Sequence, residues 1–420
     1  MSDLSVLDQT GTGGFRRLRP GPGHSRASVE ADQRRRIQRA ILEITDTTGF
    51  ASVTLRRLTR LAGVSSGTFY ALFDGKEEGF AEACGLVLQR CWRQAAQSRD
   101  PDADLDVQLA TTFEQMATAL VRDPVAARVA LVAYFDGGPA ALGSIDAFEN
   151  SLVLALNDCL NRREGQYSET SIRWVISGWL RTARNSDPKF EGIGLPAFRR
   201  WARDCIESPS ASEPRRSVER RAEARADHGD IALDDRGLLI AGAVRSASED
   251  GYWSLTVSRI CAAAGISQRR FLEQFADSDE CLLAATDHLA SRFFRKFTST
   301  PGPGEVSEEW TRACVADVIR TVVQAPDTAA VLFSKIVSAG LRGMTRREQL
   351  IGEIAAAWRS ALPDAFADPE ATWKADIGIA GLWGEIAKAL EEGRPVVLER
   401  REETLGELLE APMRSSAPAI

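Results

Sequence analysis

The chain maps onto itself. At a constant offset of 202 residues the pairs Gly49/Gly251, Ser52/Ser254, Thr54/Thr256, Arg57/Arg259, Ala62/Ala264, Gly63/Gly265, Ser65/Ser267, Phe69/Phe271, Phe73/Phe275 and Glu78/Glu280 are identical. Ile37, Ile41 and Ile44 fall on Leu239, Ala243 and Ser246, and Pro124 falls on Pro326 without a gap. The 420 residues are therefore two copies of one module of about 200 residues, and a fold proposed for one half must suit the other.

That module is helical in pattern. Apolar residues recur at three- and four-residue spacing along most of the chain, and alternating β patterns of Val, Ile, Thr and aromatics are missing. The spacing predicts a helix over residues 28–48, with Ile37, Ala40, Ile41 and Ile44 as its buried stripe and Arg34, Arg35, Arg36 and Arg39 in water. Gly49 ends it. Thr54 then stands where an N-cap belongs, ahead of Leu55, Leu58, Leu61 and Ala62, which share one helix face. Gly63 supplies the positive φ of a tight corner, with Val64 turned back to the core. Ser65 caps a second short helix, on which Phe69 and Phe73 can be buried together while Ser66, Gly67, Thr68 and Tyr70 stay available. Small and hydroxylated side chains approach phosphates and base edges without steric trouble. The pattern fits a helix-turn-helix whose second helix enters a DNA major groove, and it equally fits a plain helical hairpin.

The residues themselves favour the first reading. Ala62, Gly63, Val64, Ser65, Thr68, Phe69, Tyr70, Phe73, Lys76, Glu77, Glu78 and Phe80 form a run that closely resembles the signature of the TetR family of bacterial transcription regulators. The resemblance implies an all-α fold of two tandem TetR-like units. Each would have a three-helix helix-turn-helix domain followed by a helical effector and dimerisation domain. It implies phosphate contacts from Thr54, Ser65, Thr68, Tyr70 and Lys76, with Ser66 and Gly67 near the bases; Arg56 is placed with them. The expected divisions are a disordered basic arm (1–27), a DNA-binding domain (28–76), a helical body (77–207), a linker (208–230), a second, degenerate helix-turn-helix (231–278) and a second body (279–412).

Charge separates the two heads. The whole chain carries −7, but residues 1–76 hold twelve Lys/Arg against seven Asp/Glu, a net of +5. Local charge decides contact with a polyanion. In the arm, Arg16, Arg17, Arg19 and Arg26 are candidates for phosphate or minor-groove contacts, or for a solvated tail. Residues 230–280 hold nine Asp/Glu against five Arg, a net of −4. There Thr68, Tyr70 and Lys76 are replaced by Arg270, Leu272 and Ser278. The second head is expected to keep the shape and to have lost much DNA affinity. Arg269 and Arg270 leave a route to guanine contacts.

Beyond the heads the helices are apolar and long enough to enclose a cavity. Phe113, Tyr134, Trp174 and Trp179 are candidate pocket walls or plain core. The resemblance implies a pocket for a small-molecule effector and a dimer face on the last two helices of each half. Gly178, Gly378 and Gly381 would permit close helix approach there. No charged residue stands out inside these helices, which favours a mainly apolar effector. Seven scattered cysteines and three histidines (His24, His228, His288) show no metal-ligand spacing, so no metal or cofactor is expected. Cys84 and Cys91 fall on one helix face, as buried thiols or as a redox pair. No P-loop, dinucleotide glycine motif, HExxH or Ser/His/Asp set is present, which leaves an enzyme as the weakest reading. A helical scaffold or ligand-binding protein is the stronger competitor to a repressor. With no apolar run of membrane-spanning length and no basic-then-apolar leader, a cytoplasmic protein is expected. The two units are expected to pair within one chain, as a pseudo-dimer on double-stranded operator DNA, or to pair further as a homodimer of chains.

Overall fold

The computed structural model describes residues 25–98, 100, 102–160, 167–185, 195–207, 234–250, 255–301, 307–366 and 369–414. The expected linker over 208–230, His24, His228 and the arm residues Arg16, Arg17 and Arg19 lie outside the described residues. Among the described residues every regular element is helical, and the two halves repeat the same order. The first runs α1 (Arg26–Thr48), α2 (Leu55–Ala62), α3 (Ser66–Leu72), α4 (Lys76–Ser98), α5 (Leu105–Arg122), α6 (Pro124–Leu131), α7 (Gly138–Leu160), α8 (Glu169–Asn185) and α9 (Leu195–Ile206). The second runs α10 (Asp235–Asp250), α11 (Val257–Ala264), α12 (Gln268–Gln274), α13 (Ser278–Phe293), α14 (Ser307–Gln324), α15 (Pro326–Ala330), α16 (Gly340–Ala361), α17 (Pro369–Glu391) and α18 (Val397–Arg414).

Helix α1 starts two residues earlier than its periodicity predicts. Ser25 caps it by accepting from Ser28 N at 3.1 Å, so Arg26 belongs to the helix and pairs with Glu30 at 3.0 Å. Ile37, Ala40, Ile41 and Ile44 are buried as the pattern requires. The arginine run is not uniformly wet. Arg36 is only 5% exposed: its Nε donates to Asp32 at 2.9 Å, and its other end donates to the carbonyls of Ala62 and Gly63 at the far end of α2. Those carbonyls are orphans of a helix C-terminus, and a guanidinium is the side chain with enough donors to serve them and a carboxylate together. Leu61 is a second departure; it is 40% exposed, because α2 is buried through Leu58 and Ala62.

In the body, α4 buries Phe80, Cys84, Val87, Leu88 and Cys91 along one stripe. Burial pushes the thiols of Cys84 and Cys91 up, the latter to about 12, so both are neutral hydrophobes rather than a reactive pair. Residues Ala133–Gly137 form a 3-10 turn that runs straight into α7. Pro139 lies in that helix's first turn, where a missing N–H costs nothing.

The halves meet through their last helices. α8 packs on α17, and α9 lies against α18. The approach is close because glycines face bulky side chains. A Cβ on Gly178 would lie 2.4 Å from Ile377 Cγ2, and one on Gly381 would lie 2.5 Å from Trp174 Cδ2. A shift of 203 residues carries Trp174 onto Ile377 and Gly178 onto Gly381, so these two contacts mirror each other. That is the geometry of an isologous interface, here made inside one chain. Asp136 adds a crossing bond: it accepts from Leu341 N at 2.7 Å, at the start of α16.

Buried charges sit in these final helices, contrary to the apolar reading of the sequence. Arg181, Lys374, Glu385 and Glu410 are all buried. Arg181 pairs with Glu348 across the seam. Glu410 takes both forks of Arg312, at 2.6 and 2.9 Å. Glu385 accepts from Arg401 at 2.9 Å and lies 3.6 Å from Arg173 of the other half. Burial nevertheless wins over both arginines and raises the Glu385 carboxyl to about 7. In the unfolded chain it titrates near 4.5, so between these values the folded protein holds the extra proton. The resulting cost to stability grows as pH rises through that window and is complete above about pH 7. Glu385→Gln is therefore expected to gain stability relative to the parent between pH 5 and pH 8, by on the order of 3 kcal/mol at most. Urea unfolding at the two pH values measures this; a difference that does not change with pH contradicts it.

Candidate nucleic-acid interface

The first head is built on two caps and one corner. Thr54 Oγ1 accepts from Arg57 N at 3.3 Å and starts α2. Gly63 closes it in the left-handed region, at φ 63°, as a helix-ending glycine does. Ser65 Oγ accepts from Thr68 N at 3.0 Å and starts α3. Phe69 and Phe73, each 2% exposed, anchor α3 to the core with ring centroids 5.8 Å apart. Burial of each contributes roughly 1.5–3 kcal/mol. Arg34 of α1 holds the end of α3, donating to Leu72 O at 2.8 Å with its guanidinium 4.6 Å from the Phe73 ring.

With its apolar side fixed, α3 presents the rest outward. Ser65, Ser66, Gly67 and Tyr70 are exposed, Tyr70 at 61%, and Thr68 is half-buried. Tyr70 is held edge-on against Phe69, with centroids 5.3 Å apart, so its hydroxyl projects from a supported ring. Ser65 and Thr68 share a hydroxyl–hydroxyl contact of 2.9 Å. Capping uses one acceptor site of Ser65; a hydroxyl offers two and a proton. Lys76, the first residue of α4, is half-buried, with its ammonium 4.7 Å over the Phe50 ring. The structure thus places Thr54, Ser65, Ser66, Gly67, Thr68, Tyr70 and Lys76 on one short segment, Thr54–Lys76, with Arg56 exposed on α2.

Two further cations belong to this segment. Arg57 and Arg60 are exposed on α2 alongside Arg56. Arg57 is oriented by its bond to Thr48 Oγ1, at 2.7 Å. The sequence signal for them is the pattern of 56, 57 and 60 flanking buried Leu58.

The second head keeps the caps, the corner and the aromatic anchors, and changes the surface. Thr256 and Ser267 cap α11 and α12, Gly265 turns at φ 69°, and Phe271 and Phe275 are buried. Arg236 donates to Gln274 O at 3.2 Å and lies 4.4 Å from the Phe275 ring, as Arg34 does in the first head. Leu272 is 64% exposed where Tyr70 is 61%, so the helices present the same position with opposite chemistry. Ser258 and Ala262 stand where α2 has Arg56 and Arg60. Arg269 pairs with Glu273 at 3.4 Å and Arg270 with Asp235 at 3.2 Å. Both pairs are exposed and weak, but each puts a carboxylate beside one of the two cations of α12.

Two of the suggested pocket walls meet each other. Phe113 stacks on Trp179 at 6.1 Å and meets Phe198 edge-on at 5.0 Å, all buried in the first body. Trp174 is spent at the seam, against Gly381. The side chain of Tyr134 lies outside the described residues. Among the described residues no group of His, Cys, Asp or Glu has the makings of a metal site, and no helix is long and apolar enough to cross a membrane.

A capped, hydroxyl-rich second helix on a basic three-helix head is the arrangement of a helix-turn-helix DNA-binding domain, and its scaffold is built a second time under an acidic surface. The sequence model described as "Bacterial regulatory proteins, tetR family" matches residues 37–83 and again 239–285. The chain is a tandem of two TetR-like units, each opening with a head that matches the family model. No curated protein matches it. Among solved structures it is similar to the fatty acid degradation regulator FadR from Bacillus halodurans (15% identity, TM-score 0.37, covering 42% of this chain and 94% of that one). It is also similar to a TetR-like transcriptional regulator from Rhodococcus sp. RHA1 (19%, 0.30, 42% and 92%) and to a TetR family transcription regulator from Marinobacter aquaeolei VT8 (17%, 0.31, 41% and 94%).

Proposed function

We propose that the chain is a transcription repressor that grips operator DNA with its first head and is released by a small molecule. The supporting observation is the contrast between the heads. One scaffold is built twice, and only the first carries an exposed Tyr70, a half-buried Lys76 and three exposed α2 arginines. The folded unit is an intramolecular pseudo-dimer, supported by the mirrored contacts of α8 and α17, and its DNA footprint is asymmetric. The boundary between the units falls over 208–230, and the protein works in the cytoplasm as a binding protein rather than an enzyme. The apolar effector expected from the sequence loses its ground with the buried charges of the last helices.

Gel-shift titration of promoter DNA tests the reading. Replacing Tyr70 and Lys76 together with Ala is expected to cost about 1–3 kcal/mol at every sequence and to lower the salt slope by about one. A folded double variant that binds DNA like its parent overturns the assignment of the head. Light scattering at low concentration checks the pairing: a mass of 45.8 kDa supports the lone pseudo-dimer, and twice that mass overturns it.

A further inference from the structure

In the first head, α3 is tied to the body through one carboxylate. Glu82 lies on α4, the helix that starts beside the head and packs on α5 and α7 of the body. Its Oε1 accepts from Gln38 Nε2 at 2.9 Å, and its Oε2 accepts from Arg34 Nη1. The other terminal nitrogen of that guanidinium, Nη2, donates to the carbonyl of Leu72, the last residue of α3. A carbonyl at a helix C-terminus has no partner within its own helix, so Arg34 supplies one from α1. Gln38 is buried, and Arg34 and Glu82 are half-buried. Three helices thus meet at Glu82: α4 carries it, α1 reaches it through Arg34 and Gln38, and α3 is held on the far side of Arg34. The second unit repeats only part of this. Arg236 keeps the bond to Gln274 O and the place over Phe275. At the offset of 202, Ile240 stands for Gln38 and Ala284 for Glu82. Neither side chain can bond a guanidinium, so this tie between α12 and α13 is missing. Arg236 is exposed where Arg34 is half-buried.

We propose that Glu82 is a positioning residue for DNA binding: through Arg34 it holds α3 at a fixed angle to α4, and only the first head has it. The proposal rests on the reading of that head as the DNA grip. Glu82 acts through Arg34 and not by contact, since a carboxylate repels phosphate. Order in α3 is what offsets that repulsion. A helix of seven residues does not hold its shape alone, and Phe69 and Phe73 anchor only its inner side. Without Glu82, Arg34 is free to swing into solvent, and the last turn of α3 loses its outside partner. Tyr70 stands in that turn, two residues before Leu72, so its hydroxyl moves with it. A planar guanidinium held by a carboxylate at one corner and a carbonyl at another transmits direction as well as attraction.

The test separates the bridge from the charge. Glu82→Gln and Glu82→Ala both remove the negative charge, but only Gln keeps an oxygen for Arg34 at the same reach. Both residues are good helix formers, which keeps α4 intact. The probe is DNA selected by the parent chain from a random-sequence pool, used in gel-shift titrations of the full-length variants. The Ala variant is expected to bind it about tenfold more weakly than the Gln variant, the effect of one lost charge-assisted hydrogen bond, at the same salt slope. Hydrogen exchange without DNA gives a second readout. The Phe73 amide, bonded to Phe69 O at 2.9 Å, should exchange about tenfold faster in the Ala variant than in the Gln variant. In the second head, Ala284→Glu should slow exchange of the Phe275 amide by giving Arg236 a carboxylate. Equal DNA affinity of the Gln and Ala variants overturns the positioning role, and so does equal exchange at Phe73. A wrong reading of the head shows differently, as a pool from which the parent selects no DNA; the exchange rates then decide the bridge alone.

Discussion

A single added methyl at Gly381 is expected to destabilise the chain by about 1–3 kcal/mol, against the direction that helix propensity sets. Glycine inside a helix normally costs about 1 kcal/mol relative to alanine, so Gly→Ala in an open helical position is a stabilising change. Gly352 is such a position on α16, with no heavy atom within 4 Å of its missing Cβ. At Gly381 the new carbon would lie 2.5, 2.6 and 2.9 Å from three atoms of the Trp174 indole, a rigid group fully buried in the seam. α8 and α17 must move apart to admit it. Gly178→Ala should lose a comparable amount, because its near neighbours are Ile377 Cγ2, a methyl fixed at a β-branched carbon, at 2.4 Å and the buried Trp201 indole at 2.7 Å. Urea unfolding of the three variants decides the matter. If Gly381→Ala is stabilised as Gly352→Ala is, the two halves are not packed as described.

The largest expected loss is at Arg36. Arg36→Met removes the guanidinium from Asp32, itself 7% exposed, and from two carbonyls at the end of α2. Leaving a buried carboxylate alone costs about 3–5 kcal/mol, enough to melt the first head ahead of the rest. Asp32→Leu combined with Arg36→Met should recover much of it, since apolar pairs replace buried ion pairs at little cost. The second head already shows that the position tolerates an apolar residue, with Leu238 at the equivalent of Arg36 and Asp234 turned to cap α10 at Gly237 N, 2.7 Å away. Thermal melts and gel shifts of the single and double variants provide the check. A single variant as stable as its parent contradicts the capping role.

The parts legible in the sequence were those encoded locally or by repetition. Thr54, Gly63 and Ser65 announce caps and a corner, because each acts within four residues of itself. The offset of 202 exposes the duplication without any knowledge of the fold. Arg36 was misread because a run of arginines is a solvated face unless something distant approaches it, and its partners on α2 are 26 and 27 residues away. Leu61 was misread because an eight-residue helix buries only its narrow inner edge. The pairing across the seam was invisible for a stronger reason. Arg181 and Glu348 are 167 residues apart, and each half holds only one of them. Phe113 and Trp179 have the same spacing in a core as in a pocket, and only packing separates the two.

Joining the pair in one chain frees each half from its image. In a homodimer every substitution at the two-fold axis is made twice and must tolerate its own reflection. An arginine at the Arg181 position would then bring a second one to the place of Gly384, its image at the shift of 203 residues. Here the replacement is written once, and the opposite position stays small. The same freedom reaches the heads: Leu272 and Glu273 stand in one copy, Tyr70 and Ala71 in the other. The partner also never dilutes away, because tethered halves meet at an effective concentration on the order of millimolar, whatever the abundance of the protein.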